Sequence, residues 1–249
     1  MRLLITTQTV DRDDPVLGFF HGWLIEFAKH FEHIDVICLK EGNHTLPQNV
    51  SVHSLGKETS RNYFRYLFRF YRYVWQLRNK HDVVFSHMNP HYIVLGGWFW
   101  ILFRKPMFFW RNHAKMNRMT RIAAHFARRV FYTSPYACTK IFSHAVQMPV
   151  GIDTDVFVQQ DDVERLEHTV LSLGRISPVK RLKIFVEASH ILDNFDMHIY
   201  GDASKGQSEY REFLVQRAGE RVHFHEAIPN YQTPAIYSAF DIYVNLTPE

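Results

Sequence analysis

The stretch LSLGRISPVKR, Leu171–Arg181, decides how this chain folds. An apolar run ends at Gly174, Arg175 stands at its exit, and Lys180 follows five residues on, just ahead of the helical spacing of Leu182, Phe185, Val186 and Leu192. That order reads as strand, tight turn, helix. Pro178 suits the first turn of such a helix, because it has no N–H to leave unpaired and its φ is already set. A glycine at a strand exit lets the backbone come close to a ligand. A guanidinium grips two phosphate oxygens at once, and an ammonium adds a point charge. Gly174, Arg175 and Lys180 are therefore candidate ligands of a diphosphate, although spacing alone also fits a strand end with two solvated cations.

Outward from this stretch the same alternation continues. Downstream, DMHIYG, RVHFHE and DIYVNL are further strand-like runs, so TVLSLG opens a second doubly wound unit of four strands. Upstream, PVGIDTDVFVQQDDVERLE has no apolar period and many acids, the mark of a linker. Before it, RLLITT, IDVICL, VSVHSL, DVVFSH, MFFWRN and RVFYTS alternate with helical stretches such as Phe20, Leu24, Phe27, Ala28 and Phe31. The expected class is α/β: a Rossmann-like domain over 1–148, a linker over 149–167 and a second Rossmann-like domain over 168–249. Four strands ending at Glu249 would leave a sheet edge uncovered, so this second domain is expected to be incomplete.

Composition narrows the class. With 249 residues, 46% of them apolar, the chain can bury substantial cores. Its longest uncharged run, Val83–Phe103, is interrupted by Ser86, His87, Asn89, Pro90 and His91. The apolar remainder, Tyr92–Phe103, is too short to span roughly 30 Å of hydrocarbon. No apolar leader follows Met1, and a cytoplasmic location is expected. Cys38 and Cys138 lie far apart without CxxC spacing, which argues against a disulfide framework or a zinc site. A formal net charge of +4 suits an anionic partner without naming one. Asp11 with Asp13, and Asp153 with Asp155, have a metal–nucleotide spacing, but one pair follows the first strand and the other sits in the linker, so both read as chance. GDASKGQS from Gly201 approaches a P-loop, yet Gln207 stands where the phosphate lysine belongs, and GxGxxG is absent. Neither a metal nor a cofactor is expected.

The most biased segment is RNYFRYLFRFYRYVWQLRNK, Arg61–Lys80. At helical spacing Arg61, Arg65, Arg69 and Arg72 share one face, and Phe64, Leu67, Phe68, Tyr71 and Trp75 another. Such a helix can lie on an anionic membrane surface, or simply cover a sheet with its arginines in water. No RNP-like or helix-turn-helix pattern accompanies it, so nucleic acid is not an expected partner.

GRISPVK, HIYGD and the tail AIPNYQTPAIYSAFDIYVNLTP together resemble the donor domain of the retaining glycosyltransferases of family 4, which have the GT-B fold of two Rossmann-like domains. PVGIDTDVF is similar to the hinge motif that opens that domain. The resemblance implies a metal-independent transfer of a hexose-like sugar from a nucleotide-sugar, the substrate, to a glycan or lipid-linked acceptor, with Arg175 and Lys180 on the donor diphosphate. VLGFFHGWLIEFAKHF resembles the family's glycine-rich loop and helix, so Gly18 would let the backbone approach the donor, with Phe19 at the position of a usual second glycine. WRNHAK resembles the active-site histidine segment and makes His113 the candidate catalytic residue. His87 and Asn89, after DVVFSH, would face the cleft and either contact acceptor or cap the next helix. The family's Glu-x7-Glu motif would fall past Glu249, and Glu212 and Glu220 have its spacing only by chance. A non-catalytic nucleotide-sugar or glycan-binding relative is the competing expectation, and a GT-B epimerase or phosphorylase a third.

Overall fold

The computed structural model describes residues 1–203 and 206–247 and divides into two compact units, Met1–Ile152 and Asp153–Glu249. In the first unit, β1 (Arg2–Val10), α1 (Phe19–His30), β2 (His33–Glu41) and β3 (Val50–Ser54) precede α2 (Tyr63–Leu77). Then come β4 (Val83–His87), α3 (Pro90–Leu102), β5 (Met107–Trp110), α4 (Arg118–Phe126), β6 (Arg129–Tyr132) and β7 (Ala145–Gln147). All seven strands are parallel, in the order β3-β2-β1-β4-β5-β6-β7.

Parallel sheets are covered on both faces, which is why these strands are nearly continuous apolar runs. Alternation along β1 sends Leu3 and Ile5 to the side of Phe20 and Leu24 on α1. Leu4 goes to the other side, with Phe70, Val74, Ile93, Trp100 and Ala123 of α2, α3 and α4. Each fully buried Leu, Ile, Val or Phe among these contributes roughly 1.5–3 kcal/mol. The short edge strand β7 was not expected from sequence; its three residues are half-buried or exposed.

The second unit holds β8 (Leu166–Leu173), α5 (Leu182–Ala188), β9 (Asp196–Tyr200), α6 (Ser208–Arg217), β10 (Val222–His225), α7 (Thr233–Ala239) and β11 (Phe240–Tyr243). Its parallel strands run β10-β9-β8-β11. Val170, Met197, Ile199 and Val222 pack on Leu182, Phe185, Val186 and Leu214. On the opposite face His198 lies against His223, His225 and Phe240.

Three expectations change in detail. Leu166 and Glu167, assigned to the linker, already belong to β8. Pro178–Lys180 form a separate 3-10 turn, and α5 starts only at Leu182, after Arg181 in the left-handed region at φ 51°. Leu192 lies beyond that seven-residue helix and is exposed rather than part of its buried stripe. The near-P-loop turn includes residues 204 and 205, which lie outside the described residues, as does Glu249, past which the expected acidic motif would fall. The uncharged run Val83–Phe103 is β4, a turn and α3, and among the described residues no helix is long and apolar enough to cross a membrane.

Candidate functional site

In the first unit the strand exits are joined side to side by hydroxyl groups. Thr6 Oγ1 donates to Ser86 Oγ at 3.0 Å, and Tyr92 Oη donates to Thr7 O at 2.8 Å. Thr7 Oγ1 and His87 Nδ1 are 3.1 Å apart. The His87 ring stacks on Phe20, with centroids 4.0 Å apart and planes at 10°, while Phe19 and Trp23 close around it. Burial pushes its pKa down to about 3 and keeps the ring neutral. The expectation that His87 faces a cleft is thereby corrected, because α1 lays three aromatic rings over it. Asn89 is the N-cap of α3: its Oδ1 accepts from His91 N at 3.0 Å and lies 2.6 Å from His91 Nδ1.

Between them Met88 has φ 63°, and Asn89 N donates to His87 O at 2.7 Å, closing a three-residue turn of a rare and strained kind. Arg111, the residue after β5, holds this turn, donating from Nη1 to Met88 O at 2.6 Å. Its Nε is buried without a hydrogen-bond partner among the described residues, and burial lowers its pKa. Sequence reasoning passed over Arg111; the signal was a cation between Trp110 and Asn112 at the end of an apolar strand.

His113 is exposed just beyond this clamp. Asn112 Oδ1 accepts from Thr133 N and Ser134 N, at 3.3 and 2.8 Å, and His113 O accepts from Cys138 N at 2.9 Å, so the segment is pinned on both sides. Lys115 N donates to His113 Nδ1 at 2.9 Å. An amide N–H there leaves no room for a proton on Nδ1, so the neutral ring carries its proton on Nε2. Nε2–H is then a donor for a ligand oxygen.

Gly18 precedes α1 with ordinary helical angles. A Cβ there would stand 2.6 Å from Asp14 O and 2.8 Å from Arg12 O. Its lack of a side chain is thus already required by the loop packing on itself. In the same loop Asp11 pairs with Lys40 at 3.0 Å, and Asp13 accepts from Asn43 Nδ2 at 2.8 Å, which occupies both carboxylates of that Asp-x-Asp.

In the second unit β8 ends on Gly174, at φ 141°, whose N–H donates to Tyr200 O at 2.9 Å. Gly201, at φ 154°, leaves β9 so close by that a Cβ on it would lie 2.0 Å from Gly174 O. Ile176 N donates to Asp202 O at 2.8 Å, which fixes the next step of the turn. Lys180 folds back over Gly174: a Cβ built there would lie 3.8 Å from Cε and 4.0 Å from Nζ. Arg175 is exposed and Lys180 half-buried. Burial first, and the Arg175 charge second, lower the Lys180 pKa. Among the described residues neither cation is paired with a carboxylate. Lys180 thus lies over bare backbone within reach of the Arg175 charge, a repulsion that a bound anion would relieve.

No protein-family model matches the chain, and no curated protein matches it. Solved structures do. HepE from Anabaena, in complex with UDP and glucose, is 17% identical with a TM-score of 0.74, and the match covers 98% of this chain and 74% of that one. The chain has a GT-B type α/β fold. An α-glucosyltransferase in complex with UDP and a 13-mer DNA containing a central A:G mismatch is 11% identical, TM-score 0.70, covering all of this chain and 72% of that one. The UDP-GlcNAc 2-epimerase from Methanocaldococcus jannaschii is 14% identical, TM-score 0.55, over 98% of this chain and 78% of its own. At such identities the GT-B likeness speaks for the fold alone.

Proposed function

We propose that the chain is a glycosyltransferase of the retaining, family 4 type, moving a hexose-like sugar from a nucleotide-sugar to a glycan or lipid-linked acceptor. The observation that carries this reading is the pair Arg175 and Lys180 at the exit of β8, with Lys180 folded over Gly174 and neither cation paired with a carboxylate among the described residues. Departure of a nucleoside diphosphate builds negative charge, and fixed cations stabilise that charge more in the transition state than in the ground state, which raises rate. With two cations in place the reading requires no metal. His113 is assigned to the sugar, where its Nε2–H donates to a hydroxyl oxygen and positions the ring. Glycosyl transfer to a lipid-linked acceptor would bring the chain to a membrane surface.

The test is transfer and hydrolysis with a panel of UDP- and GDP-sugars in the natural full-length protein. Arg175→Ala or Lys180→Ala is expected to lower turnover at least about tenfold, since each removes a charge-assisted bond worth roughly 1.5–3 kcal/mol. Near-normal turnover in both variants sinks the assignment. Binding of the sugar nucleotide with no bond cleaved would instead favour a non-catalytic relative, and release of a free epimerised sugar an epimerase.

A further inference from the structure

The segment Arg61–Ile152, which contains α2, α3 and α4, carries a charge imbalance that the chemistry of sugar transfer does not use. From Arg61 to Ile152 the chain has fifteen Lys and Arg against one acid, Asp82, a net +14, while the rest of the chain nets −10. Asp82 itself is taken, accepting from Arg2 N at 2.7 Å.

The same helices leave large apolar side chains outside. Helix α2 covers the sheet with Tyr66, Phe70, Val74 and Leu77. That leaves Phe64 at 85% and Phe68 at 70% exposure, with Leu67 and Trp75 also exposed. Phe64, Phe68, Tyr71 and Trp75 follow at steps of four, three and four, a single stripe along the helix. Trp75 meets Phe103 at 6.3 Å between rings and carries the Arg78 guanidinium 4.1 Å above its own. There the stripe reaches the end of α3, where Trp98 is 69% and Leu102 74% exposed. Beside them opens a basin of about 380 Å³ lined by Ile101, Arg104, Lys105, Met107, Phe126 and Arg128. Lys105 Nζ is spent on His81 O at 2.6 Å, but Arg104 and Arg128 form no ion pair among the described residues. Lys105 lies two residues before β5 and Arg128 directly before β6, so the basin lies at the strand ends opposite to those that carry His87 and His113.

We propose that this surface is a docking site for an anionic lipid bilayer, with Arg104 and Arg128 holding a lipid phosphate and Trp75, Trp98 and Leu102 entering the interfacial layer. Aromatic rings and arginines would also serve a nucleic acid, but Leu67, Ile101 and Leu102 gain nothing from bases or phosphates. Hydrocarbon beneath a layer of negative headgroups satisfies all of them together. The inference is independent of the proposed chemistry, since it uses none of the residues assigned to transfer.

Flotation with vesicles tests it in the full chain, comparing pure phosphatidylcholine with phosphatidylcholine containing roughly 30 mol % phosphatidylglycerol. The wild type should float with the anionic vesicles and be released near 0.5 M salt, where the Debye length falls to a few ångströms (about 4 Å). Arg104→Gln with Arg128→Gln, and separately Trp98→Ser with Leu102→Ser, should each weaken partition by roughly tenfold or more, given about 1 kcal/mol for each cation near the surface. Melting curves of these exposed-site variants should match the wild type. Equal partition onto both vesicle types, unchanged partition in either double variant, or binding of a duplex DNA without binding of vesicles each overturns the proposal.

Discussion

His113 owes its tautomer to a single amide. Because Lys115 N–H occupies Nδ1, the proton of the neutral ring is on Nε2, the one that the proposed transfer would use. A glutamine amide reaches the place of Nε2, whereas an asparagine amide reaches only that of Nδ1. His113→Gln should therefore retain several-fold more transfer activity than His113→Asn, with donor affinity similar in both. The reverse order in steady-state assays would remove Nε2–H from the chemistry. Gly201 is a second residue whose role is fixed by geometry: a methyl there meets a carbonyl oxygen at 2.0 Å with φ 154°, so Gly201→Ala must move the exit of β8. We expect it to cost more than about 2 kcal/mol in urea unfolding of the second unit. The strand exit that carries Gly174, Arg175 and Lys180 could be read in sequence, because an apolar run closed by a glycine is a local pattern. His87 could not, since the rings of Phe19, Phe20 and Trp23 that enclose it come from another element. Arg111 escaped for the same reason: its partner, Met88 O, lies 23 positions away.

At the scale of elements, strands were legible where both faces are covered, because a doubly buried strand must be a run of Val, Ile, Leu and Phe. The edge strand β7 has no such requirement and left no signal. Helix α2 shows how a period can be right and its assignment incomplete. Arginines and aromatics do alternate around it, but the sheet takes Tyr66, Phe70, Val74 and Leu77, so the stripe of Phe64, Phe68 and Trp75 is turned outward. Its N-cap, Asn62, accepts from Phe64 N at 3.0 Å and Arg65 N at 3.3 Å. Asn62→Ala should lower stability by about 1 kcal/mol, read as a shift of the urea midpoint at constant slope. An unchanged midpoint would mean that packing of the buried face alone holds the helix.

Across the whole molecule, the first unit buries two imidazoles and the second half-buries one, each with its pKa lowered. Burial lowers His81 to about 4 and His87 to about 3 in the first unit. In the second unit His198, 2.9 Å from His225 on the neighbouring strand, falls to about 4, through burial first and then the charges of His223 and His225, with Asp196 opposing. All three lie below the unfolded value of about 6.5, so the unfolded chain binds protons more readily than the folded one throughout that interval. The sign follows: the stabilisation is fully present above pH 6.5, declines as pH falls, and is exhausted near pH 4 for His81 and His198 and near pH 3 for His87. Urea midpoints should accordingly be level at pH 7 to 8 and drop steadily between pH 6 and 4. His87 makes the sharpest case, because its Nε2 is buried without a partner among the described residues and a proton placed there has no acceptor to meet. Its replacement by Phe, which keeps the stack on Phe20 but cannot titrate, should flatten the acid limb of the first unit. If that limb keeps its slope in His87→Phe, the acid sensitivity arises elsewhere, and the rings around His87 serve packing alone.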